Sequence, residues 1–579
     1  MGRIILVFAF IVGLFLTGSR GTSQSNVDLK NYQSISCTGE LPDQILKGPL
    51  QSYLDDIKDL PEQSDKKLRE QTLKYHQRNN LALYDFFWSG KTLYGDRLSK
   101  YVNQVGKKVL EQYPEVKDEI TFYTHKSAST NAFCTGKRAI FINVGLLANL
   151  NNEAELAFVI SHEIVHYLYK HSFNSFLERY ALFNQNKKDN KLNYDSKIDM
   201  LYKFSRGDEF QADSLGVIRY MNLGYDVNSI SMMLTLLYYS YLPLENKPFN
   251  LNFFNTKTMS IPSYFYLDSV NPIAKIEEQD DQFFTHPSIA KRLNLTKELI
   301  AATNKVGGKQ FLISEEEFKV VRDISKFEIV NLNLMGRSYT KSIYNAFTLS
   351  LEHPNNQYLR MSILKGVYGM SKYKTANEFH RVTQGYLNME GESQRLLYLF
   401  KYLTRKQLNV FAISHAQLYL KDYPESELAK KYFEDLVKDF VVEHEMNLED
   451  FNEKVVIYSA EDERRKFHLN AFVDAFLDDS FEATFDQFAK DLEEKKMLEN
   501  QSYKDREADE KKKRKDIEKN GYGCSVKNII ILDPVYVSSS TRKKLEFIFS
   551  EEKKKLLDSK IVAAANELVL KPPCFLPGP

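Results

Sequence analysis

Cysteine is scarce: four in 579 residues, at Cys37, Cys134, Cys524 and Cys574. A chain this long builds a core without covalent staples, which excludes a small disulfide-dense scaffold. Export would still permit disulfides. Four cysteines allow three full pairings, and Cys524 with Cys574, both near the C-terminus, is the expected bridge. An excess of one charge is also missing. Lys+Arg number 78 and Asp+Glu 77, a net charge of +1, whereas a dedicated nucleic-acid binder carries a strong basic excess. Long apolar runs are absent beyond the N-terminus, where none reaches the roughly 18 residues of a transmembrane helix. The remaining composition, 43% hydrophobic and 27% charged, is that of an ordinary globular chain. It excludes global disorder, collagen-like repeats and a polytopic membrane protein. At roughly 100–200 residues per domain, three or four domains are expected.

The N-terminus differs from the rest. Arg3 precedes an apolar run over residues 4–16, and small residues follow at Gly18, Ser19 and Gly21. This is the pattern of a secretory signal peptide, here residues 1–21, cut after Gly21. The run is short for a bilayer span; the competing reading is an uncleaved anchor. No cysteine stands near the cut, so a bacterial lipoprotein signal is not expected. The mature chain is expected to be exported, periplasmic or secreted. It would have no transmembrane helix and would touch a membrane only peripherally.

Residues 22–50 look irregular, and a helical pattern runs from about 41 to 110. Period-two alternation over 119–124 and 138–143 predicts two strands, with a turn at Gly136 between them. Residues 151–171 read as a helix capped by Asn152, with Glu155 at its third position. Another helix is expected over about 206–222. Residues 242–285 lack clear periodicity, as binding loops and lids often do. From 338 to 440 the chain is helical with breaks at Pro354, Gly391 and Pro424. Their spacing of about 35 matches a tetratricopeptide-like period; an ordinary helical bundle is the other reading. Residues 441–520 read as a charged helical linker region, and 521–579 as a small C-terminal α/β module.

The chemistry lies in Ser161-His-Glu-Ile-Val-His166. His162 and His166, four apart, share one helix face and can hold one zinc ion. Glu163 stands beside them, where a general base takes the proton from a zinc-bound water. A third protein ligand is needed. Glu209 in Gly207-Asp-Glu-Phe-Gln-Ala-Asp213 supplies it, with Asp208 as its nearest competitor, and Asp213 can hold a ligand histidine by its second ring nitrogen. His171 reads as a surface histidine. Cys134 can pair with Cys37, bind metal or pack as a small hydrophobe, of which packing is preferred.

With these motifs the chain resembles the zinc metallopeptidases that include the CAAX prenyl endopeptidase, HtpX and the periplasmic protease BepA. Two further segments match: Asn131-Ala-Phe-Cys-Thr-Gly136 followed by a strand, and Thr285-His-Pro-Ser288 with Arg292. The resemblance covers about 40–310. It implies a substrate-binding edge strand, for which Asn131, Ala132, Phe133, Ile140, Phe141 and Ile142 are the candidates, with 138–144 as the strand itself. His286 would hydrogen-bond the oxyanion or close over the metal, with 242–285 as a mobile gate, and Arg292 would pair with a carboxylate.

The expected fold is therefore mainly α with a small β-sheet (α+β). A zincin-like domain over 40–310 precedes tetratricopeptide-like repeats over 338–440. The expected function is a secreted or periplasmic zinc endopeptidase, one Zn2+ per chain, acting on proteins in envelope quality control. The helical repeats would offer a surface to a protein partner. The alternative is a client-binding chaperone or scaffold whose metal site is gated or inactive.

Overall fold

A computed structural model describes residues 29–58, 60, 65–183, 194–255, 261–278, 287–303, 305–446, 484–485 and 487–490. The expected signal peptide, His286, Cys524, Cys574, the C-terminal module and nearly all of the charged linker lie outside the described residues. The fold is α+β and mostly helical, around one four-stranded sheet.

Short helices α1 (Asp43–Leu46) and α2 (Gly48–Lys58) lead into α3 (Lys66–Trp88). Strand β1 (Thr92–Leu93) and α4 (Arg97–Leu110) come next, then β2 (Thr121–His125), β3 (Ala132–Cys134) and β4 (Ala139–Asn143). The sheet order is β1-β2-β4-β3, with β2 and β4 parallel and β3 antiparallel to β4. This corrects the expectation that 138–144 forms the open edge. β4 pairs on both sides, and Ile140, Phe141 and Ile142 are fully buried. Its side chains alternate between two apolar clusters: Ile140 and Ile142 enter the main core, and Ala139 and Phe141 pack with Leu83, Phe87 and Tyr123. A strand buried on both faces needs no polar alternation. The edge is β3, folded back on β4 through a turn in which Gly136 (φ 69°) and Arg138 (φ 61°) are left-handed.

Short α5 (Val144–Asn149) leads to α6 (Glu153–Leu168), the helix of the two histidines. Asn152 Oδ1 accepts the Glu155 amide at 2.9 Å, and the Glu155 carboxylate accepts the Asn151 amide at 2.7 Å. The expected cap forms, with the glutamate reaching one residue further back than in the reciprocal capping box. Glu153, wholly buried, ties this end to three other parts of the fold. It accepts from Tyr101 and Tyr225 hydroxyls at 2.6 and 2.7 Å and from the amides of Leu312, Ile313 and Ser314.

Helices α7 (His171–Phe183), α8 (Tyr194–Tyr220), α9 (Asn228–Tyr238) and α10 (Ile289–Thr303) complete the domain. α8 lies against α6, and the approach is closest at Gly216, where an added Cβ would sit 3.3 Å from His162 Cα. Ser161 Oγ donates to Gly216 O at 2.9 Å and accepts from Tyr113.

Six further helices follow: α11 (Glu315–Met335), α12 (Tyr339–Glu352), α13 (Gln357–Thr375), α14 (Ser393–Tyr402), α15 (Arg405–Asp422) and α16 (Glu427–Lys438). The expected breaks fall between helices. The units between them are unlike: 376–392 holds only two 3-10 turns, Phe379–Arg381 and Tyr386–Asn388. The apolar core runs without interruption from the first domain into these helices. Of the expected gate, 242–255 and 261–278 are moored to them. Phe249, Phe254, Phe265 and Tyr266 are buried, the Phe249 amide donates to Glu392, and the Asn271 amide donates to Gln394. The segment lacks periodicity because aromatic anchors and side-chain bonds fix it, not because it is loose.

Two outcomes follow. Glu153→Ala strands two buried and three part-buried donors and is expected to destabilise the chain by roughly 3 kcal/mol, read as a lowered urea midpoint; Glu153→Gln should lose less. Gly216→Val forces α8 off the α6 backbone and should cost about 1–3 kcal/mol. It too is read as a lowered urea midpoint.

Candidate metal centre

α6 and α8 bring three ligand types together. His162, His166 and Glu209 each offer one atom, and these atoms lie within 4.8 Å of one another. The two Nε2 atoms are 3.0 Å apart. Glu209 oxygens stand 3.6 Å from His162 Nε2 and 3.5 Å from His166 Nε2. The i,i+4 spacing of the histidines thus does what the sequence predicts. Among the described residues this is the one such group.

Asp213 lies one turn beyond Glu209 on α8. Its Oδ1 is 3.0 Å from His162 Nδ1. The same carboxylate receives two hydrogen bonds from Arg292 of α10, from Nε and a terminal nitrogen, both at 2.7 Å. Burial alone would raise Asp213, but the Arg292 guanidinium outweighs it and holds the carboxyl below its ordinary value. Burial disfavours a charged His162, yet the Asp213 bond and charge, with Glu209, raise its pKa. His166 moves the other way, down to about 3, through burial and the His162 charge.

One sequence reading is revised. His171 is buried, not on the surface. Its Nδ1 is 2.8 Å from His166 Nδ1, and its Nε2 is 2.8 Å from Gln211 Oε1. Asp208 faces His171 at 3.7 Å and Ser175 at 3.4 Å, outside the ligand group. Gln211 lies between the two acidic residues of its motif and had no reading; only its place on the ligand helix could have drawn attention to it.

The donor set fits a soft-to-borderline divalent cation. With Nδ1–H given to Asp213, His162 presents a lone pair at Nε2, toward the Nε2 of His166 and beside the Glu209 anion. Lone pairs and an anion converging at such distances repel unless a cation lies among them.

The group opens into a cavity of about 440 Å3. Asn131, Ala132, Phe133 and Cys134, of β3 and the residue before it, line one side. Phe158, Val159, Met233, Leu237 and Ile289 give the other an apolar wall. Ile140, Phe141 and Ile142 do not reach it. Glu163 lines the cavity, and burial pushes its carboxyl up to about 7. The backbone of Cys134 hydrogen-bonds Glu163, so the edge strand and the acid are adjacent. Cys134 is not joined to Cys37. Its sulfur takes the Gly136 amide at 3.3 Å, and burial pushes its thiol up to about 12.

Comparison with known families matches residues 96–300 to peptidase family M48. A Vibrio cholerae serotype O1 protein, provisionally named a beta-barrel assembly-enhancing protease, is 24% identical over 169 residues, 26% of this chain and 35% of that protein. The beta-barrel assembly-enhancing protease of Yersinia pestis is 27% identical over 107 residues, 18% of this chain and 22% of that protein. The matched stretches thus span about a third or less of these relatives' length. The matched segment holds α6, α8 and Arg292 as well, and through it residues 96–300 are similar to peptidase family M48, a family of zinc metallopeptidases.

Proposed function

We propose that this protease is a zinc-dependent endopeptidase of exported proteins, and that Glu163 is its general base. The observation that carries the reading is the convergence of His162, His166 and Glu209 on one point, with Glu163 beside them in the same cavity. Zinc held there would supply Lewis acidity, lowering the pKa of water and polarising the scissile carbonyl.

The remaining steps belong to this chain's side chains. Glu163 takes a proton from the attacking water and returns it to the leaving amine. Its raised pKa suits both duties near neutral pH. Asp213 and Arg292 hold the ligand face in register. An extended peptide pairs with the free edge of β3 through main-chain hydrogen bonds, with Asn131, Ala132 and Phe133 along it. Its side chains then meet the apolar wall.

Cleavage within chains, not at their ends, is favoured by the wall's makeup. Among the described lining residues the one permanent cation is Arg292, and Asp213 already engages it. Among the described lining residues no other cation is left to receive a terminal carboxylate. His286, six residues before Arg292, is proposed to donate to the oxyanion or to close the cleft. No described helix is long and apolar enough to cross a membrane, which accords with an exported chain released from its signal peptide. The relatives' names suggest envelope proteins as the substrate class, with the helices after 338 as a surface for a client or partner.

The test is casein cleavage by the wild type and Glu163→Gln. Wild-type cleavage that a chelator stops, with a loss of roughly 10²–10⁴-fold in the variant, is expected. Equal cleavage by both would refute the base assignment. Silence in both, persisting in His286→Ala, would favour the chaperone or scaffold reading.

A further inference from the structure

The two ligand histidines are held differently. His162 leans on the carboxylate of Asp213. His166 leans on another imidazole, with His171 Nδ1 2.8 Å from its own Nδ1. We propose that His171, aimed by Gln211, is the positioning residue that keeps His166 in the one tautomer able to bind the metal. The inference rests on the metallopeptidase reading above, and its test separates the two.

The proton order follows from which atoms face which. Two oxygens face His171 Nε2: Gln211 Oε1 at 2.8 Å and Asp208 Oδ1 at 3.7 Å. An amide or carboxylate oxygen accepts, so the hydrogen of neutral His171 sits on Nε2. Its Nδ1 then carries a lone pair, and the only hydrogen that can fill the short gap to His166 sits on His166 Nδ1. That leaves His166 Nε2 unprotonated, pointing at His162 Nε2 and Glu209. The opposite order would place a hydrogen on Nε2, among the converging ligands. Second ring nitrogens of ligand histidines are held this way by carboxylates, carbonyls or water. Here a neutral ring fixes the tautomer without adding charge.

The backbone explains how a residue five beyond His166 reaches it. On an unbroken helix, i and i+5 diverge by about 140°. Here α6 ends at Leu168, Lys170 turns left-handed (φ 54°), and α7 starts at His171. The chain doubles back and sets the ring, buried, over His166.

The test measures zinc affinity of the full chain in a Glu163→Gln background, by competition with a chromophoric chelator, so that turnover plays no part. His171→Phe keeps a ring but cannot accept a hydrogen bond, and zinc binding should weaken roughly 10–100-fold. His171→Gln, which can accept, should recover most of it. Gln211→Leu, at an exposed position that tolerates change, should weaken binding by a smaller factor. With Co2+ as the probe, His171→Phe should alter the visible absorption bands and His171→Gln should restore them. Unchanged affinity in folded His171→Phe would overturn the proposal, as would a loss that His171→Gln fails to recover, since packing alone would then be responsible. If His171→Phe does not fold, Gln211→Leu decides, and wild-type affinity there refutes the relay. A parent chain that takes up no zinc would sink the metallopeptidase reading itself, and this inference with it.

Discussion

Asp213 is wholly buried, and burial by itself drives a carboxyl toward its neutral form. The bidentate guanidinium of Arg292 reverses that tendency. Because Asp213 stays an anion, its other face can take the Nδ1 hydrogen of His162 and turn that ring toward Glu209 and His166. A buried pair of this kind is strongly asymmetric: losing one partner leaves an uncompensated charge at a cost of about 3–5 kcal/mol. Helix α10, more than a hundred residues after His162, is therefore part of the candidate metal centre.

The rest of the domain is organised to hold α6 still. Glu153 and Asn152 fasten its first turn. The Tyr113–Ser161–Gly216 chain locks its middle to α8 at a contact where an added Cβ would sit 3.3 Å from His162 Cα. Its last turn ends at Lys170, where reversal brings His171 over His166. On the opposite side of the cleft, β4 is locked between two partners and leaves β3 as the exposed rim. Precision in such a site comes from rigid elements held on both flanks.

Much of this was legible in the residues. Spacing placed His162 and His166 on one face, Asn152 marked the helix start, and the four-residue interval put Glu209 and Asp213 on one stripe of α8. These are local, periodic signals. What failed was non-local. The alternation of Arg138-Ala-Ile-Phe-Ile-Asn143 resembles a half-exposed strand, and only pairing by β3 and β2 reveals it as interior. His171 looked exposed because helical periodicity was extended through a turn that the sequence marks with nothing stronger than Lys170. Residues 242–255 and 261–278 looked loose because aromatic anchoring has no period, and many of their partners lie far away in the sequence, as Glu392 does for Phe249 and Gln394 for Asn271.

The first described residues, 29–35, lie across the far helices and not beside the sheet they precede. Glu328 of α11, fully buried, accepts from the Tyr32 and Ser34 hydroxyls and the Ile35 amide and pairs with Lys126. Asn356, at the start of α13, donates to Leu29 O. Residues 29–35 thus strap the later helices to the earlier part of the described chain. The two halves are not beads on a string that recombination could shuffle. Residues 40–310 taken alone would lose both residues 29–35 and Glu328, and would leave Lys126 without the buried carboxylate it pairs with.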